Sequence, residues 1–246
     1  MKKTKKGKNI AVVLAAGTGS RMKSDVAKQF MMLADKPLIY YALQTMENSS
    51  LIGDVFLVTG EDDMERMRVD VVVKYGFQKV RAIIPGGSER CYSVANAMSW
   101  LSSIAEEDAN SGDIVLIHDG ARPFVTEEIL ERTIAAAKEH GACVAAMPSK
   151  DTVKIVDEEG FAVTTPDRKT VWAVQTPQVF QKELIVDAYR KFRNDEDKSF
   201  ATDDASIVER YSDCKVKMVE GAYTNMKVTT PEDMVIAEAL LKIKKS

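Results

Sequence analysis

Short apolar runs alternate with stretches of helical periodicity along most of this chain. Runs rich in valine, isoleucine or alanine predict strands at residues 10–14, 55–58, 80–84, 114–117, 142–146 and 216–219. The stretches between them predict helices at residues 37–46, 62–75, 89–104 and 126–139. Strands that are apolar on both faces and separated by helices are typical of a parallel sheet covered on both sides. The pattern therefore predicts an α/β fold, a Rossmann-like three-layer α/β/α arrangement with a mostly parallel sheet.

Residues 151–175 interrupt this alternation. Residues 152–156 alternate between apolar and polar, residues 157–160 form a turn that ends at Gly160, and the apolar pattern resumes at 161–163. This segment predicts a β-hairpin arm that projects from the sheet. The chain then returns through residues 176–178, two helices and a closing segment at 231–243. Residues 9–246 are predicted to form a single domain, preceded by a basic tail at 1–8 that we expect to be disordered.

Composition narrows the possible partners and the compartment. The 246 residues suit one large domain, and the net charge of −3 gives no general attraction to nucleic acid or to an anionic membrane. We therefore expect neither as a partner. The three cysteines are far apart and only two histidines occur, so a Cys/His metal site is not expected and the cysteine usage suits a reducing cytosol.

A glycine-rich loop follows the first predicted strand, with the sequence Ala15-Ala-Gly-Thr-Gly-Ser-Arg21. Gly17 and Gly19 allow the backbone to approach a phosphate closely, while Arg21 and Lys28 supply positive charge. The loop matches neither the dinucleotide-binding fingerprint nor the P-loop motif. A plain glycine-rich turn with incidental surface cations is the alternative interpretation.

Two further loops follow predicted strands. In His118-Asp-Gly-Ala-Arg-Pro123, Asp119 could hold Mg²⁺ or a ribose hydroxyl and Arg122 could clamp a phosphate; the alternative is an ion pair in a turn. In residues 85–93, the glycines could bring backbone amides against a base, or the segment could be a capped turn. All three loops are expected at the carboxyl edge of one sheet, where ligands bind in open α/β folds, and together they indicate a nucleotide site.

The motifs resemble those of the 2-C-methyl-D-erythritol 4-phosphate cytidylyltransferases of the non-mevalonate isoprenoid pathway. The resemblance covers nearly the whole chain after residue 8. It rests on residues 15–21, 28–30, 86–90, 118–123, 151–154, 172, 175–178, 202–204 and 225–229. Trp172 matches this type, whereas the related ribitol 5-phosphate enzymes tend to carry tyrosine there. One departure is Gly120, where many members carry alanine.

The resemblance implies a role for each matching position. Residues that frame the cytosine would be Ala15, Ala16, Gly87, Ser88 and Ser93. Residues that hold the triphosphate would be Gly17, Gly19, Arg21 and Lys28, with Asp119 and Gly120 near the ribose and Mg²⁺. Residues around the acceptor phosphate would be Arg122, Thr152, Arg168, Thr176 and Lys227. The family's arm embraces a second subunit, so Thr152 and Arg168 would act in the partner's site of a homodimer.

The implied reaction is attack by the acceptor's phosphate oxygen on the α-phosphorus of CTP, with release of pyrophosphate. Arg21, Lys28 and Lys227 would be the catalytic cations. Three alternatives remain open from the sequence. They are a cytidylyltransferase for ribitol 5-phosphate or another polyol phosphate, a sugar-phosphate nucleotidyltransferase that uses UTP or GTP, and a nucleotide-binding regulatory protein without turnover.

Overall fold

A seven-stranded sheet forms the centre of the molecule. The computed structural model describes residues 9–17, 26–104 and 114–245. In chain order, the strands of the sheet are β1 (Asn9–Ala15), β4 (Ile52–Thr59), β5 (Val80–Pro85), β6 (Ile114–Asp119), β7 (Ala142–Pro148), β10 (Trp172–Gln181) and β11 (Lys217–Glu220). Across the sheet, these strands lie in the order β11-β7-β10-β6-β1-β4-β5. The pairs among the six other than β10 are parallel. Two small sheets consist of β2 (Met32–Leu33) with β3 (Lys36–Pro37) and β8 (Ile155–Val156) with β9 (Ala162–Thr164).

Alternate residues of each strand point to opposite sides of the sheet. Because both sets are apolar, helices cover both faces. On one side, Ala11 and Val13 of β1 share a core with α1 (Leu38–Asn48), the π-helical segment Met67–Val73 that continues α2 (Met64–Arg66), and α4 (Glu127–His140). On the other, Ile10 and Val12 share a core with α3 (Arg90–Ser103), α5 (Lys182–Asn194) and α6 (Asp204–Tyr211). The last helix, α7 (Pro231–Lys245), packs in a third, smaller cluster with Leu38 and Phe124.

The predicted α/β class is confirmed, and so are the six predicted strands and the four predicted helices. The sequence analysis missed β10, which lies antiparallel between β6 and β7 in the middle of the sheet and makes the sheet mixed. Pro177 conceals this strand, because proline is uncommon in central strands. The pairing of β10 with β7 shifts register between Val174 and Gln178, and the Thr176–Pro177 bond is cis.

The predicted hairpin is present but shorter than the predicted arm. β8 and β9 form the hairpin, whereas residues 172–174 of the predicted arm already pair with β7 as part of β10. The predicted disordered tail at 1–8 lies outside the described residues. In the part of the chain that the structure describes, no helix is long and apolar enough to cross a membrane.

Candidate active site

A cleft of about 420 Å³ opens at the carboxyl edge of the parallel strands. It brings together the three loops that the sequence indicated, after β1, β5 and β6. Its walls are formed by Leu14, Ala15, Ala16, Gly17, Lys28, Gln29, Gly87, Ser88, Glu89, Arg90, Ser93, Asp119, Gly120, Ala121 and Lys227. Two of the predicted phosphate-binding residues, Gly19 and Arg21, lie outside the described residues.

Lys28 reaches the cleft from a 3-10 turn, Lys28–Phe30. The next residue, Gln29, is buried and donates its side-chain amide to Asp63 at 3.1 Å. Phe30 is buried in the core, and the guanidinium of Arg66 lies 4.0 Å from its ring centroid. These contacts fix the turn from the side of α2, so that Lys28 is held at the cleft by the packing of its two neighbours.

The glycine loop after β5 is held by its own backbone and by Ser93. The Gly86 N–H donates to the Thr59 carbonyl at 2.7 Å, and the Gly87 N–H donates to Ser93 Oγ at 3.0 Å. A side chain at position 86 would collide with Ala16, and one at position 87 with Tyr92. Glycine at 86 is therefore required for the close approach of the loops after β1 and β5, and glycine at 87 for the packing of the loop against the start of α3. Ser93 supports the loop as well as lining the cleft, since its hydroxyl also donates to the Glu89 carbonyl.

Asp119 is surrounded by three cations at the centre of the site. Its Oδ1 accepts from Arg90 Nε at 3.2 Å, and its Oδ2 accepts from Lys227 Nζ at 2.8 Å and lies 3.9 Å from Arg122 Nε. Burial by itself would raise the pKa of Asp119, but Arg90, Lys227 and Arg122 outweigh it and hold that pKa well below its usual range. The carboxylate is therefore ionised and oriented.

Thr176 and His118 hold the Asp119 loop from behind. The Asp119 N–H donates to Thr176 Oγ at 3.0 Å, and that hydroxyl lies 3.1 Å from His118 Nδ1. His118 Nε2 lies 3.1 Å from the Arg122 carbonyl, which can only accept, so the proton of the neutral ring is on Nε2. Burial lowers the pKa of His118 to about 4. Thr176 is itself buried, so in this structure it supports the loop instead of lining the cleft.

The remaining predicted acceptor-binding residues do not line this cleft. Arg122 is mostly buried beside it and donates Nη1 to the Asn225 carbonyl at 2.8 Å. Thr152 and Arg168 are exposed at the base of the hairpin, where Arg168 donates to the Lys150 carbonyl at 3.3 Å. Within one chain, the structure therefore brings together Lys227 and those predicted nucleotide-binding residues that it describes, but leaves Thr152 and Arg168 apart from them.

At Gly120 the structure gives a reason for the departure from alanine. A methyl group there would collide with Cδ1 of Ile39 and would lie 3.0 Å from the Leu14 carbonyl oxygen. The Gly120 N–H donates to that same carbonyl at 2.8 Å. Alanine would thus require the end of the Ile39 side chain to move, so glycine at 120 and isoleucine at 39 fit together.

Three polar or charged residues that line the cleft received no role in the sequence analysis. Arg90, Glu89 and Gln29 all line the cleft, and Arg90 also contacts a buried carboxylate, Asp204. Their signal was present, because 86–90, 28–30 and 202–204 are among the segments that carry the resemblance. What the motifs could not give was the contact between segments that are more than a hundred residues apart.

Among the described residues, the acidic side chains of the cleft suit one kind of metal site. The described residues contain no group of three or more His, Cys, Asp and Glu residues arranged to hold a metal. Two acidic residues, Asp119 and Glu89, line the cleft. That donor set suits Mg²⁺, which is commonly bound by one or two carboxylates together with substrate phosphates and water, and does not suit an all-protein metal cage.

Comparisons with known proteins agree with the resemblance. The family model described as 2-C-methyl-D-erythritol 4-phosphate cytidylyltransferase matches residues 9–243. A protein of that name from Lachnoclostridium phytofermentans is 42% identical, over 94% of this chain and 95% of its own length. One from Caldanaerobacter subterraneus is 44% identical, over 94% and 98%. The crystal structure of 4-diphosphocytidyl-2C-methyl-D-erythritol synthase from Anaerococcus prevotii superposes with a TM-score of 0.81 at 35% identity, covering 96% of this chain and 97% of that one.

Proposed function

This chain belongs to the 2-C-methyl-D-erythritol 4-phosphate cytidylyltransferase family, and from that premise we propose how its cleft performs the reaction. The protein is a nucleotidyltransferase of isoprenoid precursor synthesis. It converts CTP and 2-C-methyl-D-erythritol 4-phosphate to 4-diphosphocytidyl-2-C-methyl-D-erythritol and pyrophosphate. The observation that carries the proposed mechanism is the convergence of Lys28, Lys227 and two close-packed glycine loops on one cleft.

The cleft is proposed to hold CTP by its backbone and its cations. Ala15, Ala16, Gly87 and Ser88 would frame the cytosine, because that wall carries only small side chains and leaves no room for side chains at 86 and 87. Gly17 and Lys28 would receive the triphosphate, together with Gly19 and Arg21. Lys28 lines the same cleft from the 3-10 turn that follows the glycine-rich loop, so its charge would lie beside the phosphates.

The chemical step needs positioning and charge neutralisation more than acid–base catalysis. A phosphate oxygen of the acceptor attacks the α-phosphorus, and the bond from that phosphorus to the bridging oxygen breaks, so its electron pair leaves with pyrophosphate. The attacking phosphate monoester is ionised near neutral pH, since its second pKa is about 6, and no general base is required. Lys28 and Lys227 would stabilise the charge that builds up on the transferred group.

Asp119 is the residue proposed to meet a divalent cation or the ribose. Mg²⁺ would be held by Asp119 together with phosphate oxygens of the nucleotide, and when bound it neutralises triphosphate charge. Lys227 shares Oδ2 of this carboxylate at 2.8 Å, so Asp119 also fixes the lysine that faces the acceptor. Arg122 lies behind the same carboxylate and would complete the acceptor side.

The hairpin is proposed to complete the site of a second copy of the chain. Its apolar side chains are strongly exposed, at 51% for Ile155, 53% for Val156, 68% for Phe161 and 66% for Val163. An isolated two-stranded hairpin is marginal in water and needs a surface to pack on. A homodimer would bury these side chains and bring Thr152 and Arg168 to the neighbouring cleft. All three cysteines are free, which suits action in the reducing cytoplasm.

Pyrophosphate release with a panel of nucleotides tests this function. With 2-C-methyl-D-erythritol 4-phosphate and Mg²⁺, we expect CTP to be used at least about a hundredfold better in kcat/KM than UTP, GTP or ATP, because a narrow backbone-lined pocket rejects a larger base and a base with different hydrogen-bonding groups. CTP without acceptor is the control for hydrolysis. Equal turnover of several nucleotides would contradict the proposed base pocket. Absence of turnover with every nucleotide would contradict the cytidylyltransferase activity.

A further inference from the structure

Arg90 connects the carboxylate in the cleft to a second carboxylate in the interior. Its Nε donates to Asp119 Oδ1 at 3.2 Å, and its Nη2 donates to Asp204 Oδ2 at 2.7 Å. The guanidinium thus uses two different nitrogens to bind two different acids. The proposed mechanism gives Arg90 no part, and it leaves residues 202–204 without a role.

Asp204 is a fixed anchor for this connection. It is fully buried as the first residue of α6, and its other oxygen, Oδ1, accepts from the Tyr189 hydroxyl at 2.6 Å. The beginning of α6 is itself held in place by a capping box between Asp203 and Ser206. Gln178 of β10 also binds it, by donating to Asp203 at 2.8 Å and accepting from the Ala205 N–H at 3.0 Å.

The chemistry of the arrangement makes Arg90 a rigid link. A planar guanidinium offers donors in a fixed fork, so bonds to two acids at once leave it little freedom, whereas a lysine ammonium would be a mobile point charge. Asp204 has no access to water, and breaking its pair with Arg90 would leave an uncompensated buried charge. Arg90 is therefore held from the interior, and Asp119 is the one of its two partners that faces the cleft.

We propose that Asp204 is a positioning residue for the reaction, and that it acts through Arg90 to orient the Asp119 carboxylate towards Lys227 and the nucleotide. The proposal rests on the proposed role of Asp119 in the cleft. Asp204 touches no substrate: it is enclosed by Arg90, Tyr189 and the beginning of α6. Its effect on the reaction should consequently exist only while Asp119 is present as a carboxylate.

A double-mutant cycle tests this dependence. Asp204→Asn should lower kcat/KM about tenfold in the otherwise native chain, because the amide keeps the shape but weakens the hold on Arg90. In the Asp119→Asn background the same change should cost less than about twofold. Tyr189→Phe removes a hydrogen bond of Asp204 without changing charge, and should give a smaller loss, about two- to threefold, with the same dependence on Asp119.

The controls separate positioning from stability. Ser212→Ala removes a hydroxyl that donates to the Val208 carbonyl at the other end of the same helix, away from Arg90 and Asp204. It should lower the thermal midpoint and leave kcat/KM within about twofold. Far-UV circular dichroism and thermal unfolding are recorded for every variant, and the Tyr189→Phe cycle decides if Asp204→Asn does not fold.

The outcomes are distinct. An equal loss from Asp204→Asn with and without the Asp119 carboxylate would overturn the proposal, because Asp204 would then act independently, and so would unchanged kcat/KM with a lower thermal midpoint. Native activity in Asp119→Asn alone would instead remove the proposed role of Asp119, and with it the reason to position that carboxylate.

Discussion

Asp119 shows how single residues in this site derive their properties from their neighbours. Burial opposes its charge, yet Arg90, Lys227 and Arg122 depress its pKa below the usual range. A carboxyl group with a depressed folded-state pKa stabilises the protein above its unfolded pKa of about 4 and loses that contribution as the pH falls through the folded value. Asp119 therefore remains a carboxylate near neutral pH.

The first prediction at this scale concerns Lys28. Lys28→Ala should lower kcat/KM by at least about two orders of magnitude, because loss of a preorganised contact to transition-state charge typically costs about 2.7–4 kcal/mol. Initial rates of pyrophosphate release measure the effect. Lys36→Ala is a suitable control, since Lys36 lies close in sequence but does not line the cleft, and it should retain rates within about twofold. Near-native turnover of Lys28→Ala would remove this lysine from the mechanism.

The second residue-scale prediction concerns pH and His118. Its pKa falls from 6.5 to about 4 on burial, so between these values the unfolded chain binds a proton that the folded chain does not. Stability is then complete above pH 6.5 and decreases as the pH falls towards 4. The His118 contribution should amount to a loss of about 2 kcal/mol between pH 7 and pH 5. Urea unfolding at several pH values measures this slope.

The chain offers a matched control for the histidine prediction, because it contains only one other histidine, the partly exposed His140. In His118→Gln, the decrease in unfolding free energy between pH 7 and pH 5 should become smaller by about 2 kcal/mol. In His140→Gln the slope should match that of the native protein. Identical slopes in all three proteins would mean that His118 accepts its proton in the folded state as easily as in the unfolded chain.

At the scale of elements, the hairpin of β8 and β9 is the part that the single chain leaves unpacked. We predict that Phe161→Glu together with Val163→Glu converts a dimer into monomers and lowers kcat/KM at least about tenfold, because charges cannot be buried unpaired in an apolar interface. Deletion of residues 156–163 should have the same two effects. Light scattering gives the mass, and pyrophosphate release gives the activity.

An equally exposed valine elsewhere serves as the control for the hairpin. Val235 of α7 is 70% exposed, and Val235→Glu should leave both mass and activity unchanged if the hairpin is the interface. Fully active monomers of the hairpin variant would contradict both the interface and the shared site. Dimers of that variant would place the interface on another surface.

At the scale of the whole molecule, the prediction concerns the choice of acceptor. We expect 2-C-methyl-D-erythritol 4-phosphate to be preferred over ribitol 5-phosphate by at least about a hundredfold in kcat/KM. Cations such as Lys227 can bind either phosphate, so the choice must come from the polyol. A single methyl contact provides only about 1–3 kcal/mol, and stronger rejection needs unpaired polar groups or a steric clash. Competition between the two acceptors at equal concentration, with CTP and Mg²⁺, measures the ratio.

The two tryptophans of the chain refine that measurement. Trp172 begins β10 at the end of the hairpin, and Trp172→Tyr should reduce the preference if this position contributes to it. Trp100 packs against Phe56 in the core, and Trp100→Tyr should leave the preference unchanged. Equal or faster consumption of ribitol 5-phosphate by the native protein would contradict the predicted preference for the methylerythritol acceptor.

Features that depend on a local pattern follow from the order of the amino acids alone. Apolar periodicity located six strands and four helices, because burial of a strand or of a helix face imposes a repeat of two or 3.6 residues. The order of strand, loop and helix then placed the loops after β1, β5 and β6 at one edge of a parallel sheet. The loop motifs indicated Lys28 and Asp119, and the resemblance to the cytidylyltransferase family implied Lys227.

Features that depend on distant partners became visible in the folded chain. The insertion of β10 between β6 and β7 could not be inferred from a run interrupted by Pro177, because strand order is set by long-range packing. Arg90 and Asp204 are 114 residues apart in sequence, so no local pattern predicts the hydrogen bond between them. Thr176 lies in a motif that implied contact with the substrate. In the structure it is buried behind Asp119 and supports the loop that carries Asp119. A sequence pattern reports whether a side chain is buried, whereas the folded chain determines what it is buried against.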